Sequence, residues 1–366
     1  MRVKGLSLRI LSGLFASVFI VGCYSWVGDR GAEKSLAFDT PLVKELSRVT
    51  TDRQADEINP VWSHDGSTLF YVQSKSFRSE YDIWEMDLRS RMHVNLTESF
   101  SLNAHNPTWS PDGRRMAFFS REGAIYTIWN MDTAAQFSSQ DRRFTKLTDG
   151  KHMDVFPAWS PDGQKIAFVS DRSGEAAVWT MKSDGGEPVR LTEGGFGDLT
   201  PAWSPDGASL AFTRRVQMEL DQNEKEDYRE TLDELTQITH SGQLREKLYQ
   251  QLDQAFDLPG RIRVSHLYVL NVGSGRLQQL SFDEMEDGRP VWSPDGSTLA
   301  FSSKRNGNMD LWLINADGTN LRRLTSHPAE DRYPAWSPDG KQIAFASDRA
   351  GSADIWVLAL REEAGQ

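Results

Sequence analysis

The sequence predicts an all-β fold, a six-bladed β-propeller whose blades each contain four short antiparallel strands. Three observations support this: one motif recurs six times, a second aromatic position recurs with it, and turn residues separate short apolar runs. The motif reads Pro-x-Trp-Ser-Pro-Asp-Gly with small variations, and its tryptophans are Trp62, Trp109, Trp159, Trp203, Trp292 and Trp336. Repetition every ~40–50 residues is typical of propellers.

The third repeat shows how one blade is built. Ser160 to Gly163 has turn chemistry, because proline presets φ near −65° and glycine supplies a positive φ. The flanking runs predict strands at 157–160, 165–170, 177–181 and 189–192. Four short antiparallel strands in each repeat are typical of a propeller blade.

The second aromatic position lies on the third predicted strand of each repeat. Its members are Trp84, Trp129, Trp179, Tyr268, Trp312 and Trp356. Large aromatic side chains bury ~150–250 Å² each, which suits the wedge-shaped gap between radially arranged sheets. We therefore expect both sets of aromatic residues to pack between blades.

The two ends of the repeat region predict how the ring closes. The last repeat has three strands and no fourth, while residues 46–50 match the fourth-strand pattern Arg190-Leu191-Thr192. We expect 46–50 to pair with the last blade, since an open ring would leave a sheet edge exposed. The propeller then spans 46–360, followed by a short tail at 361–366.

One repeat is interrupted, since Trp203 and Trp292 are separated by about twice the usual spacing. Residues 216–262 contain apolar residues at helical spacing, with breaks at Ser241-Gly242 and Pro259-Gly260, and predict a helical hairpin inserted in blade 4. The segment holds eleven acidic and five basic residues. It is either a loop that packs on itself or a docking arm over the entrance side of the channel.

The composition restricts the partners and the compartment. The chain has 366 residues and a net charge of −11 without a basic run, which argues against nucleic acid as a partner. The single cysteine, Cys23, excludes an intrachain disulfide. Residues 1–22 have a basic start and a short apolar stretch, the layout of a secretory signal peptide.

The end of that segment, Ile20-Val21-Gly22-Cys23, resembles a bacterial lipobox. The resemblance implies cleavage before Cys23, lipidation of its thiol and a tether at 23–45. Because Tyr24 follows rather than aspartate, it also implies a periplasm-facing protein anchored to the outer membrane. An ordinary secretory signal or an uncleaved anchor are the alternatives.

Candidate binding residues stand three positions before the motif proline. Five of the six repeats have an acid there, and Ala104 is the exception; the acids are Glu57, Asp154, Asp198, Asp287 and Asp331. Arg172 and Arg349 follow the second strands and are expected on the same rim. Each acid either caps a turn or pairs with a neighbouring arginine, or the acids form a collar that holds a cation or a basic peptide.

No catalytic motif stands out in the sequence. It contains no Gly-x-Ser-x-Gly elbow, no His-Glu-x-x-His and no glycine-rich phosphate loop, and it predicts no cofactor and no metal site. His105, His152 and His327 fall in loops that lead to the first strands. Because of these histidines, a lyase or hydrolase that uses rim histidines and carboxylates remains a second alternative function.

The full repeat, Pro-Ala-Trp-Ser-Pro-Asp-Gly followed by Ile-Ala-Phe-x-Ser-Asp-Arg and Arg-Leu-Thr, resembles the TolB-type propeller repeat (PD40), best at 156–192 and 334–356. That resemblance implies an envelope protein that binds other proteins, such as Tol–Pal-like components or other lipoproteins. The chain departs from the expected family pattern in three ways. It has a lipobox and the insertion, and the tether at 23–45 stands where an α/β domain is expected before the propeller.

The leading hypothesis is a non-enzymatic, lipid-anchored scaffold built as a monomeric ring. A peptide-, carbohydrate- or cation-binding propeller for uptake or sensing is the alternative.

Overall fold

The computed structural model describes residues 40–51, 55–74, 81–133, 143–219, 261–283 and 285–361. Within these residues every regular element is a β-strand, and the strands form six sheets of four. The predicted six-bladed, four-stranded propeller is confirmed. None of the described residues form a helix long and apolar enough to cross a membrane.

The strands run in chain order from the axis outwards in each blade, after a leading strand β1 (Val43–Arg48). Blade 1 contains β2 (Glu57–Trp62), β3 (Thr68–Ser74), β4 (Tyr81–Asp87) and β5 (His93–Asn95). Blade 2 contains β6 (His105–Trp109), β7 (Arg115–Glu122), β8 (Ile125–Asp132) and β9 (Phe144–Lys146). Blade 3 contains β10 (Asp154–Trp159), β11 (Lys165–Ser170), β12 (Ala177–Lys182) and β13 (Val189–Arg190).

The last three blades follow the same order. Blade 4 contains β14 (Asp198–Trp203), β15 (Ser209–Glu219), β16 (Arg261–Asn271) and β17 (Leu277–Gln279). Blade 5 contains β18 (Asp287–Trp292), β19 (Thr298–Ser303), β20 (Asp310–Asn315) and β21 (Arg322–Arg323). Blade 6 contains β22 (Asp331–Trp336), β23 (Gln342–Ser347) and β24 (Asp354–Leu360), with β1 as its fourth strand.

The Ser-Pro-Asp-Gly turn joins the first two strands of each blade. In blade 3 the Ser160 hydroxyl donates to Asp162 Oδ1 at 2.6 Å and accepts from the Lys165 N–H at 2.9 Å. Gly163 has φ +69°, which only glycine adopts readily. The acidic turn residue is held ionised, because hydrogen bonds from Ser160 and Gln164 lower the pKa of Asp162.

These turns also pack the blades against one another. A Cβ placed on Gly163 would lie 3.5 Å from Cδ of Pro111 in the preceding blade. Gly66 of blade 1 faces Pro338 of blade 6 in the same way, at 3.6 Å. The contact therefore continues around the whole ring, and the first blade rests on the last.

Strand β1 fills the fourth position of blade 6. It pairs antiparallel with β24, with Leu46 opposite Leu358. The strand starts at Val43, three residues earlier than predicted, and ends at Arg48, so the predicted tether cannot extend to residue 45.

Two further contacts show that β1 and the residues directly after it replace the fourth strand of blade 6. The Thr50 hydroxyl accepts the Ile355 N–H at 2.8 Å. The equivalent acceptors in the other blades are Thr97, Thr148, Thr192, Ser281 and Thr325. Arg48 pairs with Asp354 at 2.8 Å, as Arg323 pairs with Asp310 in blade 5. A segment from the start of the repeat region thus supplies the contacts missing from its end.

The base of the insertion is a ribbon of two long strands. Strands β15 and β16 pair without interruption from Ser209 opposite Asn271 to Glu219 opposite Arg261. Residues 216–219 and 261–262 are therefore strand, and the predicted bounds 216–262 are wrong at both ends. The predicted helical hairpin lies on 220–260, outside the described residues.

Aromatic side chains fill the spaces between blades, as predicted for Trp62 and Trp159. Trp62 is buried against Ala344, Ala346 and Ile355 of blade 6, and its indole donates to the Ala335 carbonyl at 3.0 Å. The second-strand phenylalanines, which the repeat motif did not single out, are among the largest fully buried side chains. These are Phe118, Phe168, Phe212, Phe301 and Phe345.

Candidate functional site

The five predicted rim acids are all buried. Each is the first residue of its blade's innermost strand, and Asp154, Asp198 and Asp331 have no exposed surface. Glu57 and Asp287 are 2 % exposed. Among the alternatives that the sequence left open, these buried positions do not suit an open acidic collar.

Arginines explain why four of these carboxylates, the aspartates, turn inwards. The four aspartates pair with arginines of their own blades: Asp154–Arg172 at 2.8 Å, Asp198–Arg214 at 2.6 Å, Asp287–Arg305 at 2.9 Å and Asp331–Arg349 at 2.6 Å. Three of these arginines follow the second strand, and Arg214 lies on it. A buried carboxylate is tolerated only when it is paired and hydrogen-bonded. The arrangement is the arginine pairing that the sequence analysis kept open as the alternative to a collar.

Each arginine also lies between two aromatic rings of its own blade. The Arg172 guanidinium is 5.1 Å from the ring centroids of both Phe168 and Trp179, and its Nε donates to the Ser170 hydroxyl at 2.9 Å. Arg349 makes the same contacts with Phe345, Trp356 and Ser347. Arg172 and Arg349 are therefore structural centres of their blades.

Blade 2 lacks the acid, and its arginine is not buried. Ala104 replaces the acid, and Arg121 is exposed, with its Nε bonded to the Gly123 carbonyl at 2.9 Å. Blade 4 uses Arg214, which the sequence did not predict because it lies on the strand itself, without the Ser-Asp-Arg loop of blade 3.

Burial acts on the paired carboxylates. It raises the pKa of the Asp331 carboxyl to about 6, although the Arg349 guanidinium acts in the opposite direction. Burial also raises the pKa of Asp287 against the effect of Arg305. The arginine opposes the effect of burial at each site, so losing it would leave the carboxyl group buried without an opposite charge.

The central channel contains a cavity of about 450 Å³, lined by the first strands of all six blades. One residue per blade, two positions after the acid, forms what we call the channel ring. Its members are Asn59, Asn106, Phe156, Thr200, Arg289 and Tyr333. None of the five rim acids is among the described lining residues.

The channel ring has an unusual backbone. All six residues have φ between +49° and +59°, although none is glycine. Each lies in a β-bulge, where the pairing of the first and second strands shifts. The bulge directs these side chains into the channel. The six residues are of five types, with asparagine in both blades 1 and 2, whereas the neighbouring proline and tryptophan repeat in every blade.

Arg289 crosses the channel from blade 5. Its Nη1 donates to Asn59 Oδ1 of blade 1 at 2.5 Å. Its guanidinium lies 4.3 Å from the ring centroid of Tyr333 and 5.4 Å from that of Phe156, which belong to blades 6 and 3. The sequence signal for this residue is weak, since the position before it and the residue after the motif proline also vary between repeats.

The three histidines predicted in loops have separate local contacts, and His105 is the first residue of strand β6. His105 is buried between Tyr81 and Phe119, and burial lowers its pKa to about 4. His152 lies 3.8 Å from Asp171, and His327 Nδ1 accepts the Ala329 N–H at 3.1 Å. Among the described residues no three His, Cys, Asp or Glu side chains are close enough together to hold a metal ion. Cys23 lies outside those residues.

Comparison with known families agrees with this geometry. The model of the TolB beta propeller domain matches residues 45–244 and 261–365. The chain belongs to the TolB β-propeller family. A comparison with curated proteins finds none that matches.

Solved structures of TolB resemble this TolB-family propeller. TolB from Acinetobacter baumannii superposes with a TM-score of 0.57 at 22% identity, covering 79% of this chain and 59% of that one. A putative TolB from Agrobacterium tumefaciens gives 0.52 at 24% identity, with 73% and 77% covered. This chain therefore matches less than two thirds of the Acinetobacter protein's length.

Enzymes with the same fold are also similar. An oligogalacturonate lyase from Vibrio parahaemolyticus has a TM-score of 0.50 at 13% identity, with 91% of this chain and 99% of that one covered. At these identities the likeness concerns the fold alone.

Proposed function

We propose that this protein is a non-enzymatic scaffold of the cell envelope that binds another protein through the rim around blade 4. Strand antiparallelism places the ends of the second strands and the starts of the third on the face where the first strands begin, which we call the entrance face. Ribbon β15–β16 projects from that face. Membership of the TolB propeller family supports a protein-binding role.

The observation that carries the proposal is a pair of exposed phenylalanines beside this ribbon. Phe282 is 70% exposed and Phe196 is 42% exposed, and they lie in the loops after and before blade 4. Large exposed aromatics are uncommon on a soluble surface and enriched at interfaces. We call Phe196, Phe282 and the projecting ribbon the blade 4 rim.

Both loops are fixed to the ribbon. The Arg215 N–H donates to the Gly197 carbonyl at 2.9 Å, beside Phe196. His266 bonds the Asp283 carbonyl at 2.6 Å, beside Phe282. Since Gln279 Nε2 lies 3.0 Å from His266 Nδ1 and can only donate, His266 Nε2 carries the proton given to Asp283. A rigid rim loses little entropy on binding, which favours affinity.

The charge of the neighbouring segment suggests the partner's chemistry. Residues 216–262 contain eleven acidic and five basic residues, so a partner with an apolar patch flanked by lysine or arginine would be complementary.

The rim is tested by in-cell photo-crosslinking with a benzophenone amino acid at position 282. We expect one specific adduct, which the Phe196→Ser variant reduces at least tenfold because it removes the neighbouring apolar anchor. Leu321→Ser is the matched control, since Leu321 is also 42% exposed but lies beside the outer strand of blade 5. An adduct that both variants leave unchanged would exclude the rim as the binding surface.

The anchor is a separate part of the proposal. The lipobox-like end of residues 1–22 supports lipidation of Cys23 and a periplasm-facing location at the outer membrane. Cys23→Ser is expected to abolish labelling with a fatty-acid probe and to move the protein from the membrane to the soluble fraction, because one or more acyl chains supply the membrane affinity. Unchanged labelling in the variant would contradict lipidation of Cys23, but it would not bear on binding through the blade 4 rim.

A further inference from the structure

The channel carries a charge opposite to that of the protein. The chain has a net charge of −11, yet Arg289 is the one Lys, Arg, Asp or Glu among the described residues that line the cavity. The rim aspartates that would have given the channel a negative lining are buried in ion pairs instead. The low-dielectric walls around a single cation favour an anion in this cavity.

The geometry of Arg289 selects the kind of anion. Tyr333 and Phe156 lie within cation–π distance of the guanidinium. All five N–H groups of a guanidinium lie in its plane, and Asn59 Oδ1 receives one of them. A planar fork of this kind matches a carboxylate, which can accept two parallel hydrogen bonds.

The channel ring holds this arginine in place. Its φ of +49° belongs to a bulge shared by all blades, so the backbone conformation is architectural. The side chain is particular to blade 5, and its contacts come from three other blades. A side chain fixed by partners across the channel loses little entropy when a ligand binds.

We infer that the central channel binds a ligand through a carboxylate group that Arg289 holds. The cavity of about 450 Å³ extends from the channel ring to the prolines of the Ser-Pro-Asp-Gly turns, which is enough for a small acid or the end of a peptide. This site is distinct from the blade 4 rim and does not depend on it. The carboxylate is either that of a free small acid or the C-terminus of a peptide.

Calorimetry on the full chain at low ionic strength tests the site with N-acetyl-trialanine, its C-terminal amide and propionate. We expect the peptide acid to bind with a Kd on the order of 1 mM or tighter, and the amide to bind at least tenfold more weakly. Binding of propionate with similar affinity would assign the site to small acids, and its failure would assign it to peptide C-termini. Equal binding of the peptide acid and its amide, or no binding of either, would overturn the inference.

Variants distinguish a ligand-binding role of Arg289 from a purely structural one. Arg289→Gln is expected to weaken the peptide acid at least tenfold, whereas Arg276→Gln, an exposed arginine beside the outer strand of blade 4, should leave its affinity unchanged. Should Arg289→Gln fail to fold, Thr200→Glu would place a competing carboxylate on the channel ring, and Thr200→Gln is its control. The inference is excluded when the Gln and Glu variants at position 200 bind equally well. The Phe196→Ser variant should retain full affinity, so failure of the rim and failure of this site are distinguishable.

Discussion

Deletion of residues 43–50 is expected to destabilise the propeller by at least about 4 kcal/mol. The segment buries Val43 and Val49, each worth ~1.5–3 kcal/mol, and Thr50 satisfies the Ile355 N–H, a loss of about 1–3 kcal/mol. Domains are stable by only ~5–15 kcal/mol, so the effect is a large part of the total. Thermal denaturation followed by circular dichroism should show a midpoint lowered by roughly 10 °C or more.

A matched control distinguishes ring closure from disturbance of the N-terminal segment. Lys44 and Glu45 lie in the same strand with exposed side chains, so the double change to serine should alter the free energy of unfolding by less than about 0.5 kcal/mol. The deletion also leaves β24 as an open sheet edge, and we expect concentration-dependent association on gel filtration. An unchanged melting midpoint and a monomeric elution would contradict the role of β1.

Replacing Arg349 by methionine is expected to cost about 3–5 kcal/mol, because it leaves the Asp331 carboxyl buried without its ion-pair partner. Methionine keeps the contact with Phe345 and Trp356, so the loss reports mainly on charge. Chemical denaturation of the variant and the wild type at several pH values provides the measurement.

The pH dependence has a definite sign. Burial already raises the pKa of Asp331 to about 6 while Arg349 opposes the rise, so removal of Arg349 raises it further. A carboxyl whose pKa is higher in the folded state contributes stability that is present below its unfolded pKa of about 4 and is lost as the pH rises. The difference between wild type and Arg349→Met should therefore be larger at pH 8 than at pH 4.

Two controls belong to the same experiment. Arg121→Met removes the arginine of blade 2, where Ala104 stands in place of the acid, and should change the stability by less than about 0.5 kcal/mol. Asp331→Asn combined with Arg349→Met removes both charges and should recover part of the loss. A pH-independent difference, or equal effects at positions 121 and 349, would contradict a buried ion pair.

The sequence could predict the blades because their determinants are local. The Ser-Pro-Asp-Gly turn is closed by side-chain bonds between residues two and five positions apart, as in Ser160, Asp162 and Lys165. The strand pattern that follows needs only period-two alternation. Even the closing strand could be predicted from a few neighbouring residues, because 46–50 match the fourth-strand pattern Arg190-Leu191-Thr192. The strand itself starts at Val43.

The candidate site was predicted less well, because the identity of a residue does not determine whether its side chain points to solvent or to the interior. Asp154 and Asp331 were expected on an open rim, but an arginine eighteen positions later brings each into the interior. The role of Arg289 could not be predicted from the sequence, since its partners Asn59, Phe156 and Tyr333 are far apart in the chain.

By itself, then, the sequence determined the number of blades, their turns and the place of the interruption, because each depends on a few neighbouring residues that repeat. The tertiary structure decided which charges are buried, which aromatics remain exposed on the blade 4 rim and which side chain occupies the channel. The physical reason is that burial and pairing depend on contacts between blades, through sheet edges and bulges that bring together residues hundreds of positions apart.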